Sequence, residues 1–379
     1  AFLYNFWVIF LLLVGAMGAR RLALYFKHTP VSAFLAGIIF CSAPFLQHEM
    51  LNGTSELLSS GFLAWYAWLF LSMLDEPTRG KSLSIGLVAG ILLTLSAYNP
   101  FFILLLSLVF LQFRLTRSTQ PILTLKLWKQ SIWAGLVFLP FALSIGFLQL
   151  SHGAVETFSR RTSWLDKSLS LPDSYAGILN WFDPREGIIP VVTELPTGGV
   201  FEYWTTCTVY IGWVVIFGIL WSWKQAKNSD LRMMQWLLVL AMLIAMGPYL
   251  RFDKEVLNLF GFTIYLPSYT IGYLFPLFAV TAIHSYRYAA VVVLAASILA
   301  SKRLHSLFWG GLIILEVLFW APQMYPTPVT QMPESPTLDY LAEQTYGAVF
   351  TYPIAREDLH DLGQVLLAQT VHGKPIHDG

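Results

Sequence analysis

The chain has 379 residues, 56% hydrophobic, 16% aromatic and only 12% charged, with a formal net charge of +1. Globular domains ordinarily carry about 25% charged residues, so the composition argues against a water-soluble protein and predicts a polytopic membrane protein. The near-neutral balance and the lack of a basic run argue against a nucleic-acid partner, and Cys41 and Cys207 offer neither a disulfide framework nor a metal-ligand spacing.

Taken in order, about ten apolar runs approach the ~20 residues that a bilayer span needs. They are 1–19, 30–46, 57–74, 83–97, 100–113, 131–150, 203–223, 233–250, 286–301 and 305–322. Ala1 already lies within the first run, with no initiator methionine or signal peptide ahead of it, so the chain reads as a piece of a longer protein. The stretch 83–113 is split at Asn99-Pro100, because proline disfavours helix in the residue before it.

Charge sets the expected orientation. With Arg20, Arg21 and Lys27 inside, alternate crossings put Arg79, Lys81, Arg114, Arg117, Lys126, Lys129, Lys224, Lys227, Arg232, Lys302 and Arg303 inside too. The long segments 151–202, 251–285 and 323–379 then fall outside. The expected fold is an all-α transmembrane bundle of about ten spans with extracytoplasmic loops and the start of a small C-terminal α/β unit. Its parts are helices over 1–150, a loop over 151–202, further helices over 203–322 with a broken segment at 263–288, and an extracytoplasmic tail from 323. The expected location is a bacterial inner membrane, crossed many times.

Several residues are placed where they could carry chemistry. His48, Glu49 and Glu56 fall in the first outer loop, where they are catalytic acid/base candidates. The same carboxylates could hold a divalent cation as a cofactor; the alternative is a solvated turn that also caps the following helix. His284 and Arg287 are three residues apart, on one helical face, and suit an anionic group such as a lipid phosphate. An arginine reaching to headgroups within a tyrosine belt is the alternative. Arg160, Arg161 and Arg185 in the 151–202 segment are further phosphate-binding candidates. Glu316 is an acid inside an apolar run, which needs a partner: an ion or proton site, or a hydrogen bond to a neighbouring helix. In the tail, Ser335-Pro336 reads as a helix start, 348–352 as a strand and 356–368 as a second helix. No metal pattern is present.

A set of short motifs adds a resemblance. Tyr4-Asn5 opens an apolar helix that ends in Arg20-Arg21, and Ser42-Ala-Pro44 is followed by His48 and Gly53 ahead of a Trp-rich run. Further on come Gly247-Pro-Tyr-Leu250, then Leu266-Pro-Ser268 leading through Pro276 to His284-Ser-Tyr-Arg-Tyr288, then Tyr352-Pro353 and His372-Gly-Lys-Pro375. In these the chain resembles an uncharacterised branch of the GT-C superfamily of glycosyltransferases, lacking its N-terminal part. The resemblance implies an enzyme that transfers a sugar from a polyprenyl-phosphate carrier to an extracytoplasmic acceptor, with Arg287 contacting the lipid phosphate. The superfamily's catalytic acid would lie ahead of Ala1. A transporter or flippase, or a non-catalytic envelope assembly factor, is the rival expectation.

Overall fold

The fold is described from a computed structural model. It describes residues 2–51, 55–96, 98–116, 125–151, 176–183, 188–195, 199–206, 209–223, 229–252, 255–274, 282–320, 340, 343, 349–350 and 376–377.

Helices dominate. They are α1 (Phe2–Tyr25), α2 (Pro30–Cys41), α3 (Pro44–Leu51), α4 (Ser55–Leu58), α5 (Gly61–Asp75), α6 (Arg79–Leu95), α7 (Asn99–Leu115) and α8 (Leu125–Ser151). After a short 3-10 turn at Leu179–Trp181 and the paired strands β1 (Ile188–Leu195) and β2 (Gly199–Thr206) come α9 (Trp213–Trp223) and α10 (Ser229–Ala245). Two small antiparallel pairs follow: β3 (Arg251–Phe252) with β4 (Glu255–Val256), and β5 (Asn258–Leu259) with β6 (Phe262–Thr263). Phe260 and Gly261 both take positive φ between β5 and β6. That backbone matches the twist of a two-residue hairpin turn. Then come α11 (Pro267–Leu274), a 3-10 segment at Ala282–Tyr288, α12 (Ala289–Ser301) and α13 (Leu307–Leu315), which continues as a π-helical turn over Glu316–Trp320.

The chain divides into two units. One comprises 1–187 with 206–325 and holds every helix named above. The other comprises 188–205 with 326–379, where β1 pairs with β2 and β7 (Val349–Phe350) pairs in parallel with β8 (Ile376–His377).

Within the helical unit α12 is the centre. All its 13 residues are buried, and α2, α9 and α10 pack around it. A helix covered on every side has no polar face to keep, so Ala, Val, Leu and Ile fill it without periodicity. α1 packs on α2 and α5, and α6 packs on α8. At the α1–α5 crossing, a Cβ built on Gly61 would stand 2.9 Å from the Gly15 Cα, so the two backbones meet where neither residue has a side chain. Trp65 Nε1 donates to the Val14 carbonyl at 2.9 Å across the same contact.

Charged groups gather at one end. Arg114 Nη2 lies 2.9 Å from Asp75 Oδ1, and Tyr25 hydrogen bonds to both residues, tying the last turns of α1, α5 and α7 together. Arg21 lies 4.8 Å from the Trp68 ring centre and Arg79 lies 4.0 Å from that of Trp133. Lys302 Nζ reaches the Lys27 carbonyl, and Ser301 reaches His28. The first turn of α7, the segment before α12, and α3 therefore lie toward the other end.

The expectation of about ten membrane spans is corrected. Among the described residues one helical stretch, Phe6–Tyr25, is long and apolar enough to cross a membrane, or two if α2 and the following Pro44–Met50, bent by 41°, count as one. Most other apolar runs fold into shorter helices: 15 residues in α5, 17 in α6 and in α7, 11 in α9, and 13 in α12. At 1.5 Å per residue, 17 residues cover about 26 Å, less than the ~30 Å hydrocarbon layer. Of the run 286–301, residues 289–301 form the fully buried α12, only 13 residues long. The multi-pass inner-membrane location is corrected on the same finding. The C-terminal α/β unit is not clearly formed: the described tail residues are the short β7–β8 pair and the helical Tyr340 and Glu343, and the rest of the helices expected at 335–344 and 356–368 lies outside the described residues.

The outward faces remain apolar, with Phe6, Leu13 and Met17 on α1, Ile132, Leu136 and Leu143 on α8, and Leu220 on α9 all exposed. Faces of this kind mark contact with another apolar surface.

Candidate functional site

The charged residues inside the fold meet at the end opposite the Tyr25–Asp75–Arg114 cluster. α3 carries His48 and Glu49, and each is 1% exposed. The expected outer loop is thus partly a buried helix. Ser42 closes α2 by donating its side-chain hydroxyl to the Ile38 carbonyl at 2.7 Å, and Pro44 then starts α3 at an angle. Proline suits a first helical position because it has no N–H to leave unsatisfied.

Asn99 opens α7. Its Nδ2 donates to Ser59 Oγ at 2.9 Å and to the Leu92 carbonyl at 2.8 Å, closing the gap between α6 and α7. Its side chain is fully buried, and its Oδ1 has no hydrogen-bond partner among the described residues. The hydroxyl of Ser60, next to Ser59, is in the same condition. Buried polar atoms in folded proteins nearly always have partners; Asn99 Oδ1 can only accept, while the Ser60 hydroxyl can donate or accept.

Arg287 comes from the 3-10 segment ahead of α12. Its guanidinium carbon lies 4.5 Å from the centre of the Tyr98 ring. Burial opposes its charge, but Tyr98, Tyr286 and the Glu49 carboxylate outweigh burial and raise its pKa above the ordinary guanidinium value. Glu49 is therefore near enough for its charge to act on Arg287. Aromatic contacts brace the same segment: Tyr286 stands edge-on to Phe45 of α3, and Tyr288 to Phe102 of α7 at 4.9 Å. Ser285 donates to the Ala245 carbonyl at 3.1 Å, anchoring the segment on α10.

His284 does not share a regular helical face with Arg287. Its backbone, at φ −117° and ψ 60°, breaks the helix, and its ring packs edge-on to Tyr286 at 6.3 Å. His48 is held neutral: burial alone pushes its pKa down to about 3. It can exchange hydrogen bonds at neutral pH but does not carry charge.

Glu316 stands apart from this cluster. Its carboxylate accepts from Tyr210 OH and from the backbone N–H groups of Trp213 and Val214, the latter at 3.1 Å. These are free N–H groups at the first turn of α9, so Glu316 caps that helix from α13. Gly212, with φ at 99°, makes the turn, and a Cβ there would stand 3.3 Å from Glu316 Oε2. The hydrogen bond to a neighbouring helix is thus the role the geometry gives this acid.

The side chain of Glu56, and all of Arg160, Arg161 and Arg185, lie outside the described residues. Among the described residues no group of three or more His, Cys, Asp or Glu is placed to hold a metal ion. Sequence reasoning missed Ser59, Ser60 and Asn99. The one available signal was an asparagine and a serine pair bordering apolar runs, and Asn99 was read only as a break.

No protein-family model, no curated protein and no solved structure matches this chain. The GT-C resemblance is corrected: its motifs are too short to define a family, and the bundle of spans that it requires is not found among the described residues. Sugar transfer from a polyprenyl-phosphate carrier, the enzyme assignment, the lipid partner and the rival transporter or envelope-factor readings depended on that architecture and are withdrawn with it.

Proposed function

We propose that the cluster around Glu49 and Arg287 is a binding site for a small zwitterion of the α-amino-acid type. The observation that carries this reading is a fully buried carboxylate, Glu49, whose charge acts on the half-buried guanidinium of Arg287. Removing a charge from water costs several kcal/mol even after relaxation, and perturbed, buried charges concentrate at functional sites.

Charge balance chooses the ligand class. Arg287 brings one positive charge, Glu49 one negative charge, and His48 none. A simple anion would add a second negative charge beside Glu49. A simple cation would do the reverse. A zwitterion leaves the balance at zero, with its carboxylate toward the Arg287 fork and its ammonium toward Glu49. Asn99, next to Tyr98 in the chain, carries a further acceptor, Oδ1, for an N–H. His48, neutral, supplies a further hydrogen-bonding group without disturbing the balance.

Thermal denaturation of the full chain tests this reading. A panel of the protein amino acids is added singly at millimolar concentration, with acetate and methylammonium as half-ligands. One or more amino acids should raise the midpoint while neither half-ligand does, and Arg287→Lys should lose the shift while still unfolding cooperatively. Stabilisation by acetate alone would favour a plain anion site and defeat the reading, as would no response to any amino acid.

A further inference from the structure

A cavity of about 280 Å³ lies between α5, α6, α7 and α8. We propose that it binds an aromatic molecule of one or two rings bearing a single hydrogen-bond donor, of the phenol or indole class. This inference is independent of the zwitterion reading, because none of the lining residues belongs to the Glu49–Arg287 cluster.

Its walls set the chemistry. Ile85 and Ala89 of α6, Ile103 of α7 and Phe138 of α8 line it, with Gly135 at one side and Tyr66 of α5 as the one polar side chain. The space is half open to solvent, but its walls are mostly apolar and suit an apolar solute; an enclosed apolar cavity of ~150 Å³ accepts benzene. The space here is roughly twice that, enough for a single ring with substituents or a fused pair.

Hydrogen-bond direction sets the polar end. Ser107 Oγ lies 2.7 Å from the Ile103 carbonyl, which can only accept, so the one Ser107 proton is committed there. Tyr66 OH lies 2.8 Å from the same Ser107 oxygen and must therefore donate to it. The Tyr66 oxygen keeps a lone pair that can accept but has no proton left to give. Burial pushes the Tyr66 pKa up to about 12, so the hydroxyl keeps its proton at neutral pH. The matching ligand brings a donor, an O–H or N–H, on an otherwise apolar body.

Equilibrium dialysis of the full chain against phenol and indole, with benzene and naphthalene as controls lacking the donor, tests the proposal. Phenol and indole should bind more tightly than the hydrocarbons of matching size. Tyr66→Phe should weaken phenol about five-fold, the worth of one ordinary hydrogen bond, and leave benzene unchanged. Gly135→Leu is the filling variant. Gly135 is an exposed lining residue and a Cβ built there meets no atom within 4 Å, so the larger side chain obstructs the opening without disturbing the fold. It should weaken phenol and indole at least ten-fold while the unfolding midpoint holds or rises. No binding to the wild-type chain, equal affinity for benzene and phenol, or undiminished binding in Gly135→Leu would each overturn the assignment.

Discussion

Arg287 stacks over Tyr98, 4.5 Å from ring centre to guanidinium carbon, and Tyr98 immediately precedes the asparagine that joins α6 to α7. The contact fixes a charge from the last third of the chain on a joint made in its first third. It also shields one face of the guanidinium, which Tyr286 hydrogen bonds as well.

Breaking that arrangement should be costly in one direction and partly recoverable. Arg287→Ala removes a positive charge that acts on the buried Glu49 carboxylate and should destabilise the fold by about 1–3 kcal/mol. Glu49→Gln in the same chain removes the orphaned charge and should restore part of the loss. Urea unfolding of the two single variants and the double variant measures the coupling. Strict additivity would show that the two charges do not sense each other.

The cap on α9 gives a second prediction. Glu316→Ala removes the acceptor for two backbone N–H groups and for Tyr210, and should cost about 1–3 kcal/mol. Glu316→Gln keeps one carbonyl acceptor and should cost less. Gly212→Ala should also destabilise, because the backbone there takes a φ that alanine adopts poorly. Denaturant midpoints would check the order.

Glycines on the α6–α8 contact should respond with opposite signs. A Cβ at Gly86 would come within 2.3 Å of the Ala134 carbonyl oxygen, a backbone atom that cannot swing aside, so Gly86→Ala should cost about 1–3 kcal/mol by overpacking. Gly135→Ala meets open space and relieves the helix of a glycine, so it should stabilise by about 0.5–1 kcal/mol. Thermal melts of the pair measure both.

Two buried histidines predict acid sensitivity. Burial pushes His28 and His48 each down to about 3, with Lys302 adding to the effect at His28. Unfolded histidine titrates near 6.5, so between that value and about 3 the unfolded chain binds protons that the folded chain refuses. The stability from neutral burial is complete above about pH 6.5 and falls as pH drops, by up to about 1.4 kcal/mol per pH unit for each histidine. Unfolding free energies at pH 7.5, 6.0 and 5.0 should decline accordingly, and His28→Gln should flatten the decline.

Parts of this were legible in the residues and parts were not. Asn99-Pro100 announced a break, and the structure places it between Leu95 and Asn99. Arg287 stood out as a charge next to apolar sequence. What sequence did not reveal is what covers an apolar run. Residues 289–301 have the same composition whether lipid or protein surrounds them, because a helix covered on all sides loses the periodicity that betrays its environment. His48 and Glu49 looked like loop residues because polar letters cluster around them. The proline start of α3 and the packing of Phe45 on Tyr286 draw them inward instead. Glu316 could be named as needing a partner, but that its partners are N–H groups 102 and 103 residues away depends on tertiary packing.

The most direct measurement is a calorimetric titration of the full chain with whichever amino acid stabilises it most, repeated with Glu49→Gln and Arg287→Lys. Saturable one-to-one binding in the wild-type protein, weakened at least ten-fold in both variants, is the predicted result. Binding of equal strength in either variant would contradict the account, because the ligand would then be held by something other than the paired charges.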